Sequence, residues 1–258
     1  MVSSNAIPMN YLNIPYRIFP LGDSAITVDF GNVIDEAVNN EVIGRFHQLK
    51  NYPLHGMIEM IPAYSSLTIR YDVCTVRKNT TIDITAFDWM KNKLDELLQL
   101  PMSAPQTSSK LLQIPVCYEN GFAPDIKQLA AIKNLSVEEV IQVHTAREYK
   151  VYMLGFLPGF AYMGELDERI AIPRKAQPQI TFPGSVGIAG KQTGIYPLRS
   201  PGGWQIIGRT PLKLFDADRE DPTLFQAGDT VQFYSITENN FYEIQNSLSF
   251  KRGDWSKV

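Results

Sequence analysis

Glycine punctuates the second half of this chain. Ten of its 17 glycines fall between positions 155 and 208, interleaved with prolines. Helical periodicity disappears from Tyr152 onward, leaving short apolar segments between Gly and Pro. Such a texture excludes long packed helices and predicts short strands joined by tight turns, as in a barrel or sandwich. "AGDTVQFYSIT" near the C-terminus reads as a turn followed by an alternating strand. The second half is therefore expected to be mostly β.

The first hundred residues read differently. "SAITVDFG" (24–31) is a strand ended by glycine. Asp35 caps a helix with Val38, Val42, Phe46 and Leu49 on one stripe. "GMIEMIP" and "SLTIRYD" are two strands joined by "AYS". Thr85 starts a second helix, with Asp88 in a variant of the capping box and an apolar face of Phe87, Met90, Leu94 and Leu97. A β-α-β-β-α order of this kind predicts a ferredoxin-like α+β domain over residues 1–100. Residues 101–110, "PMSAPQTSSK", lack periodicity and read as a linker. The second domain, 111–258, opens on the strand "LLQIPVCY" and two short helices. Pro124 stands near the start of the first, and Ser136 with Glu139 makes a capping box for the second, which runs to about His144.

Composition removes several functions. The net charge of −3 gives no bulk attraction to nucleic acid or anionic membrane. No apolar run reaches the roughly 18–20 residues that span a bilayer, and "MVSSNAIPMNYLNIPYR" has no secretory signal pattern. Cys74 and Cys117 form no CxxC pair and suggest no disulfide framework, so a reducing cytoplasmic compartment is expected. His47, His55 and His144, the three histidines, stand in no metal-ligand spacing, so no metal site is expected in this chain.

"GSVGIAGKQTGIYP" (184–197) is close to a phosphate-binding loop and fails as one. Gly184 and Gly190 are separated by five residues where the motif has four, and Gln192 follows Lys191 where it has Ser or Thr. Gly194, Pro197 and Pro201 break the helix that would hold the phosphate. Its glycines instead suit tight turns and close backbone approach at the rim of a barrel. A charge pattern remains. From Ile170 to Phe215 there is no Asp or Glu, while Arg174, Lys175, Lys191, Arg199, Arg209 and Lys213 all lie in that span. Cations beside exposed backbone N–H groups make an anion site; solvated side chains on a barrel surface are the plainer alternative. Phe156, Phe160, Tyr162, Tyr196 and Trp204 could line a cleft or fill a core. His144, near Tyr149 and Tyr152, fits either acid–base work or a satisfied structural role. No Ser-His-Asp set can be assembled, and Ser185 sits in G-S-V-G rather than G-x-S-x-G.

"GFLPGFAYMGELDERIAIPR", "GSVGIAGKQTGIYP" and "SPGGWQIIGRTP" resemble the family that holds the B subunit of 5-oxoprolinase, the kinase inhibitor KipI and allophanate hydrolase subunit 1. "GDSAITVDFG", "IPAYSSLTIRYD" and "IPVCYENGFAPDIKQLA" extend the resemblance over nearly the whole chain. It implies a cyclophilin-like β-barrel after the N-terminal α+β domain. It also implies one subunit of an ATP-dependent enzyme that opens the 5-oxoproline lactam to glutamate, with the C and A subunits of 5-oxoprolinase as partners. ATP and Mg2+ would be used by the complex, and the isolated chain would be inactive. On this resemblance Arg174, Lys191 and Arg209 would contact anions, and Gln192 and Ser185 would hydrogen-bond. Phe160 and Tyr196 would wall the cleft, Ser200 and Trp204 would join the binding set, and His144 would be the acid–base candidate. Two departures stand out. The family usually has P-R-T where this chain has Pro178-Gln179-Ile180, removing an arginine contact, and Pro-Ala-Gly-Ser where it has Pro183-Gly184-Ser185. The alternatives that the family carries are a KipI-like inhibitor docking on a histidine kinase and an allophanate hydrolase-type amidohydrolase component.

Overall fold

The computed structural model describes residues 14–100 and 110–250. The chain divides into two compact units, Met1–Thr107 and Ser108–Val258. Most of the expected linker, residues 101–109, lies outside the described residues.

In the first unit, strands β1 (Arg17–Pro20), β2 (Ala25–Asp29), β3 (Met57–Pro62) and β4 (Ser66–Tyr71) form one antiparallel sheet in the order β1-β2-β4-β3. Helix α1 (Glu36–Asn51) joins β2 to β3, and α2 (Val73–Arg77) and α3 (Ala86–Leu98) follow β4. Placing β4 between β2 and β3 is the ferredoxin-like split. The fourth place at the edge is filled by β1, which precedes β2. Neither β1 nor α2 was expected from the sequence; they are four and five residues long, too short to show a period.

The capped helices form as their sequences require. The Asp35 carboxylate accepts from the Val38 N–H at 3.0 Å, and the Thr85 hydroxyl from the Asp88 N–H at 3.1 Å. Their apolar stripes bury Val42, Leu49, Met90 and Leu94 against Ile26, Val28, Leu67 and Ile69 of the sheet. Arg45 is a buried exception on α1. Its guanidinium donates to the Leu97, Leu98 and Leu100 carbonyls at 2.9–3.0 Å and pairs with Glu41 at 2.8 Å. It thereby satisfies carbonyls that the end of α3 would leave open. Arg45→Ala should destabilise the protein by about 2 kcal/mol, because a half-buried carboxylate and three carbonyls lose their donor. A urea midpoint equal to wild type would contradict this.

The second unit runs β5 (Leu111–Cys117), α4 (Ile126–Lys133), α5 (Val137–Thr145), β6 (Glu148–Leu154) and β7 (Ala161–Met163). It continues through β8 (Gln179–Thr181), β9 (Ser185–Ala189), β10 (Gln192–Ile195), β11 (Ser200–Gly202), β12 (Gln205–Arg209), β13 (Thr230–Ile236) and α6 (Glu238–Phe250). Seven strands close a barrel in the order β10-β7-β6-β13-β5-β12-β9, and β8 pairs with β11 as a separate ribbon. β13 lies parallel to β5 in register from Thr230↔Leu111 to Ile236↔Cys117, which returns the chain to its starting strand. Closure removes the exposed edges that short strands would otherwise leave. Ile114, Val116, Val151, Met163, Val186, Ile188, Ile195, Ile207 and Phe233 fill the interior. The Ser136–Glu139 capping box starts α5 with both reciprocal bonds made.

Helix α6 corrects the expectation that helical periodicity ends at Tyr152. The Thr237 hydroxyl accepts from the Asn240 N–H at 3.2 Å, and Phe241 packs 4.5 Å from Phe122. Thr237 before a Phe241/Ile244 stripe is the signal that could have revealed it. No helix among the described residues is long and apolar enough to cross a membrane.

Candidate functional site

The glycine-rich segment builds the outside of the barrel wall. In β9, Val186 and Ile188 enter the core, so Ser185, Gly187 and Ala189 alternate outward. In β10, Thr193 and Ile195 point inward and Gln192 and Gly194 outward. A Cβ on Gly187 would stand 3.0 Å from the Trp204 Cβ, and one on Gly194 would stand 2.8 Å from the Ala161 carbonyl oxygen and 3.2 Å from the Phe160 ring. Bare backbone at these positions lets large rings lie directly on the wall.

Four rings do so. Phe160 is central, with Tyr162, Tyr196 and Trp204 at centroid distances of 4.7, 5.1 and 5.5 Å and mostly edge-to-face. Phe160, Tyr196 and Trp204 are themselves buried and pack as one cluster with Ala189 and Ile206. Two exposed side chains stand on that cluster. The Arg174 guanidinium lies 6.0 Å above the Trp204 ring. Phe156 sets its ring edge-on to Phe160 at 5.6 Å and to Tyr196 at 6.3 Å. Leu154 to Gly159 and Thr223 line a shallow groove of about 380 Å³ beside it.

The strap carrying Arg174 is fixed on both sides. The Lys175 N–H donates to the Gly203 carbonyl at 2.7 Å, and the Gln205 amide to the Pro173 carbonyl at 3.2 Å. Lys175 also pairs with Asp125 at 2.6 Å, where both side chains are only 13% and 12% exposed. Asp125 accepts the Ile206 N–H with the same oxygen, at 2.6 Å. Nothing in the sequence singled out Asp125. Burial pushes the Tyr162 and Tyr196 hydroxyls up and Arg174 pulls both partly back, so both stay protonated at neutral pH.

The carboxylate-free span is not carboxylate-free in space. Lys175 meets Asp125, Lys191 meets Glu168, and Lys213 meets Asp216 at 2.9 Å. Arg174, Arg199 and Arg209 have no carboxylate partner among the described residues. Lys191 sits 67% exposed in the β9–β10 turn, at the opposite end of that hairpin from Ser185. Gln192 is next to it, half-buried on the outward row. Arg209 faces Ser185 across β12 and β9, donates Nε–H to the Pro183 carbonyl at 2.9 Å and lies over the Phe182 ring at 5.5 Å. Ser185 and Ser200 are buried; Ser185 accepts from the Phe182 N–H at 3.2 Å, and the Ser200 carbonyl accepts from the Thr181 hydroxyl at 2.9 Å.

His144 lies on the other side of the wall, sealed in the barrel core. Thr193 donates its hydroxyl to the Gly187 carbonyl at 3.1 Å, so at 3.0 Å it accepts from His144 Nε2–H. Nδ1 is then the acceptor for the Tyr118 hydroxyl at 2.8 Å. Phe233 stacks on the ring at 4.5 Å. Desolvation pushes the imidazole pKa down to about 3. With both nitrogens engaged and no exposed surface, the ring has no route to a substrate, which corrects the acid–base expectation for it. Because the folded-state pKa is depressed, protonation favours unfolding, and the contribution to stability declines as pH falls from about 6.5 toward about 3. In an NMR titration the His144 Cε1–H resonance should hold its neutral shift from pH 8 to below pH 5. A midpoint near 6.5 would contradict the assignment.

Comparison with known proteins adds three findings. The carboxyltransferase domain family, subdomain C and D, matches residues 16–225. The B subunit of 5-oxoprolinase from Bacillus subtilis (strain 168) is 45% identical over 233 residues, covering 90% of this chain and 97% of that protein, and the one from Escherichia coli O157:H7 is 35% identical over 218 residues, covering 84% and 94%. The crystal structure of the Kluyveromyces lactis urea amidolyase matches 90% of this chain with a TM-score of 0.71 at 22% identity, over 15% of its own chain, a likeness of fold.

Proposed function

Because this chain belongs to the carboxyltransferase subdomain C and D family, we propose that it works as the B subunit of an ATP-dependent 5-oxoprolinase, which opens a small lactam to an amino acid. The observation that carries this reading is the 45% identity extending over 97% of a 5-oxoprolinase B subunit. The outer barrel face supports it chemically. Arg174 is an exposed, un-neutralised cation with a planar pair of donors, suited to a carboxylate. Arg209, half-buried on β12, adds positive charge to the wall, where it would favour developing phosphoryl or carboxyl charge. The Trp204 ring lies beneath the guanidinium at 6.0 Å and favours a cation there.

Among the described residues no three His, Cys, Asp or Glu side chains gather to hold a metal ion. ATP handling falls to the assembled enzyme, with the C and A subunits as the partners.

Co-purification tests the assignment. Tagged chain expressed with homologues of the A and C subunits should bring both down in a stoichiometric complex. Failure to retain either, with capture of a histidine kinase dimerisation domain instead, would replace this reading by the inhibitor one.

A further inference from the structure

Phe156 is the one described aromatic residue whose backbone is left-handed, at φ +66, a region that bulky side chains rarely adopt. The residue is 61% exposed, so the strain is not compensated by burial. The surrounding loop enforces it. The Gly155 N–H donates to the Phe160 carbonyl at 3.1 Å, the Leu157 N–H to the Gly155 carbonyl at 2.8 Å, and the Phe160 N–H to the Leu157 carbonyl at 3.0 Å. Gly159, at φ +81, passes where a Cβ would stand 3.0 Å from the Leu214 carbonyl oxygen. A strained, exposed apolar ring on an over-determined loop is held for something other than stability. Phe156 and Arg174 flank the same support of Phe160, Tyr196 and Trp204.

We propose that Phe156 is a specificity-determining residue: its ring packs against the apolar methylenes of a small cyclic amide whose carboxylate is held by Arg174. This rests on the reading of the outer barrel face as the lactam site. It selects ligands that carry a compact apolar ring next to an anion, and disfavours open-chain polar acids of the same charge.

The test uses the reconstituted three-subunit enzyme. Phe156→Gly relieves the left-handed strain, so the melting temperature of the chain should equal or exceed wild type, while the KM for 5-oxoproline rises about 10-fold and the KM for ATP is unchanged. Phe156→Leu, which restores an apolar side chain, should recover part of the lactam KM. A wild-type lactam KM in Phe156→Gly overturns the proposal, and so does loss of complex assembly in that variant, since the ring would then serve a partner subunit. Parallel measurement of Arg174→Ala separates the two levels. If Arg174→Ala is impaired and Phe156→Gly is not, only this proposal fails; if both match wild type, the site reading fails with it.

Discussion

Arg174→Ala should lower kcat/KM of the assembled enzyme for 5-oxoproline by about 100-fold, about 2.7 kcal/mol of lost transition-state binding. The magnitude follows from removing a charge-assisted, two-point contact made by a guanidinium that pairs with no carboxylate among the described residues. Stability should hardly change. Arg174 is exposed, and its contact with Trp204 at 6.0 Å is worth about 1 kcal/mol at most. A melting temperature within about 3 °C of wild type is therefore expected alongside the loss of activity. Arg174→Lys keeps the charge but not the planar fork, and should recover only part of the rate. Lys191→Ala is the contrasting variant: its turn adjoins the strap through the Gly190 N–H to the Ile172 carbonyl at 2.7 Å, but Lys191 is exposed and already paired with Glu168, so its loss should lower kcat/KM far less than loss of Arg174.

Gly184→Ala should cost about 4 kcal/mol and about 10 °C in melting temperature. Two penalties coincide at this position. Gly184 has φ +83, and a Cβ there would collide with the Thr210 backbone oxygen, which no side-chain rotation can relieve. The crowding has a cause. The Gly184 N–H donates to the Tyr196 carbonyl at 2.7 Å, and its own carbonyl accepts from the Thr210 N–H at 2.9 Å, so one residue ties together the chain ends beyond β9, β10 and β12. The same knot sets Ser185 opposite Arg209. Activity should fall with stability in this variant, in contrast to Arg174→Ala. Unchanged thermal unfolding would mean that the loop relaxes around the added methyl.

Much of this fold is written locally. The stripe of Val38, Val42, Phe46 and Leu49 with its Asp35 cap, and the Ser136–Glu139 box, need only neighbours three and four residues away, and the structure contains both helices. The glycine-rich texture likewise indicates short strands and tight turns, whereas their closure into a barrel was implied only by the family resemblance and is seen in the strand order. Short elements escaped for the converse reason. β1 and α2 have too few residues to display a period, and each is held by tertiary contacts.

The site was less legible because its charges are settled by distant chain segments. Asp125, Glu168 and Asp216 all lie outside the carboxylate-free span, yet they neutralise three of its six cations. Only folding distinguishes Arg174 from Lys175, its neighbour in sequence. Burial direction was equally hidden. His144 and Thr193 meet across 49 positions inside the barrel, whereas Gly194, one residue on, faces the rings outside. Alternation along a strand indicates which residues share a face, but not which face is the core.

The most direct test of the functional reading is glutamate release from 5-oxoproline and ATP when this chain is added to purified A and C subunits. Release that appears only with the chain present, saturates at equimolar ratio and falls about 100-fold with Arg174→Ala is the expected result. Release at the same rate without the chain, or with the Arg174→Ala chain in its place, would contradict it.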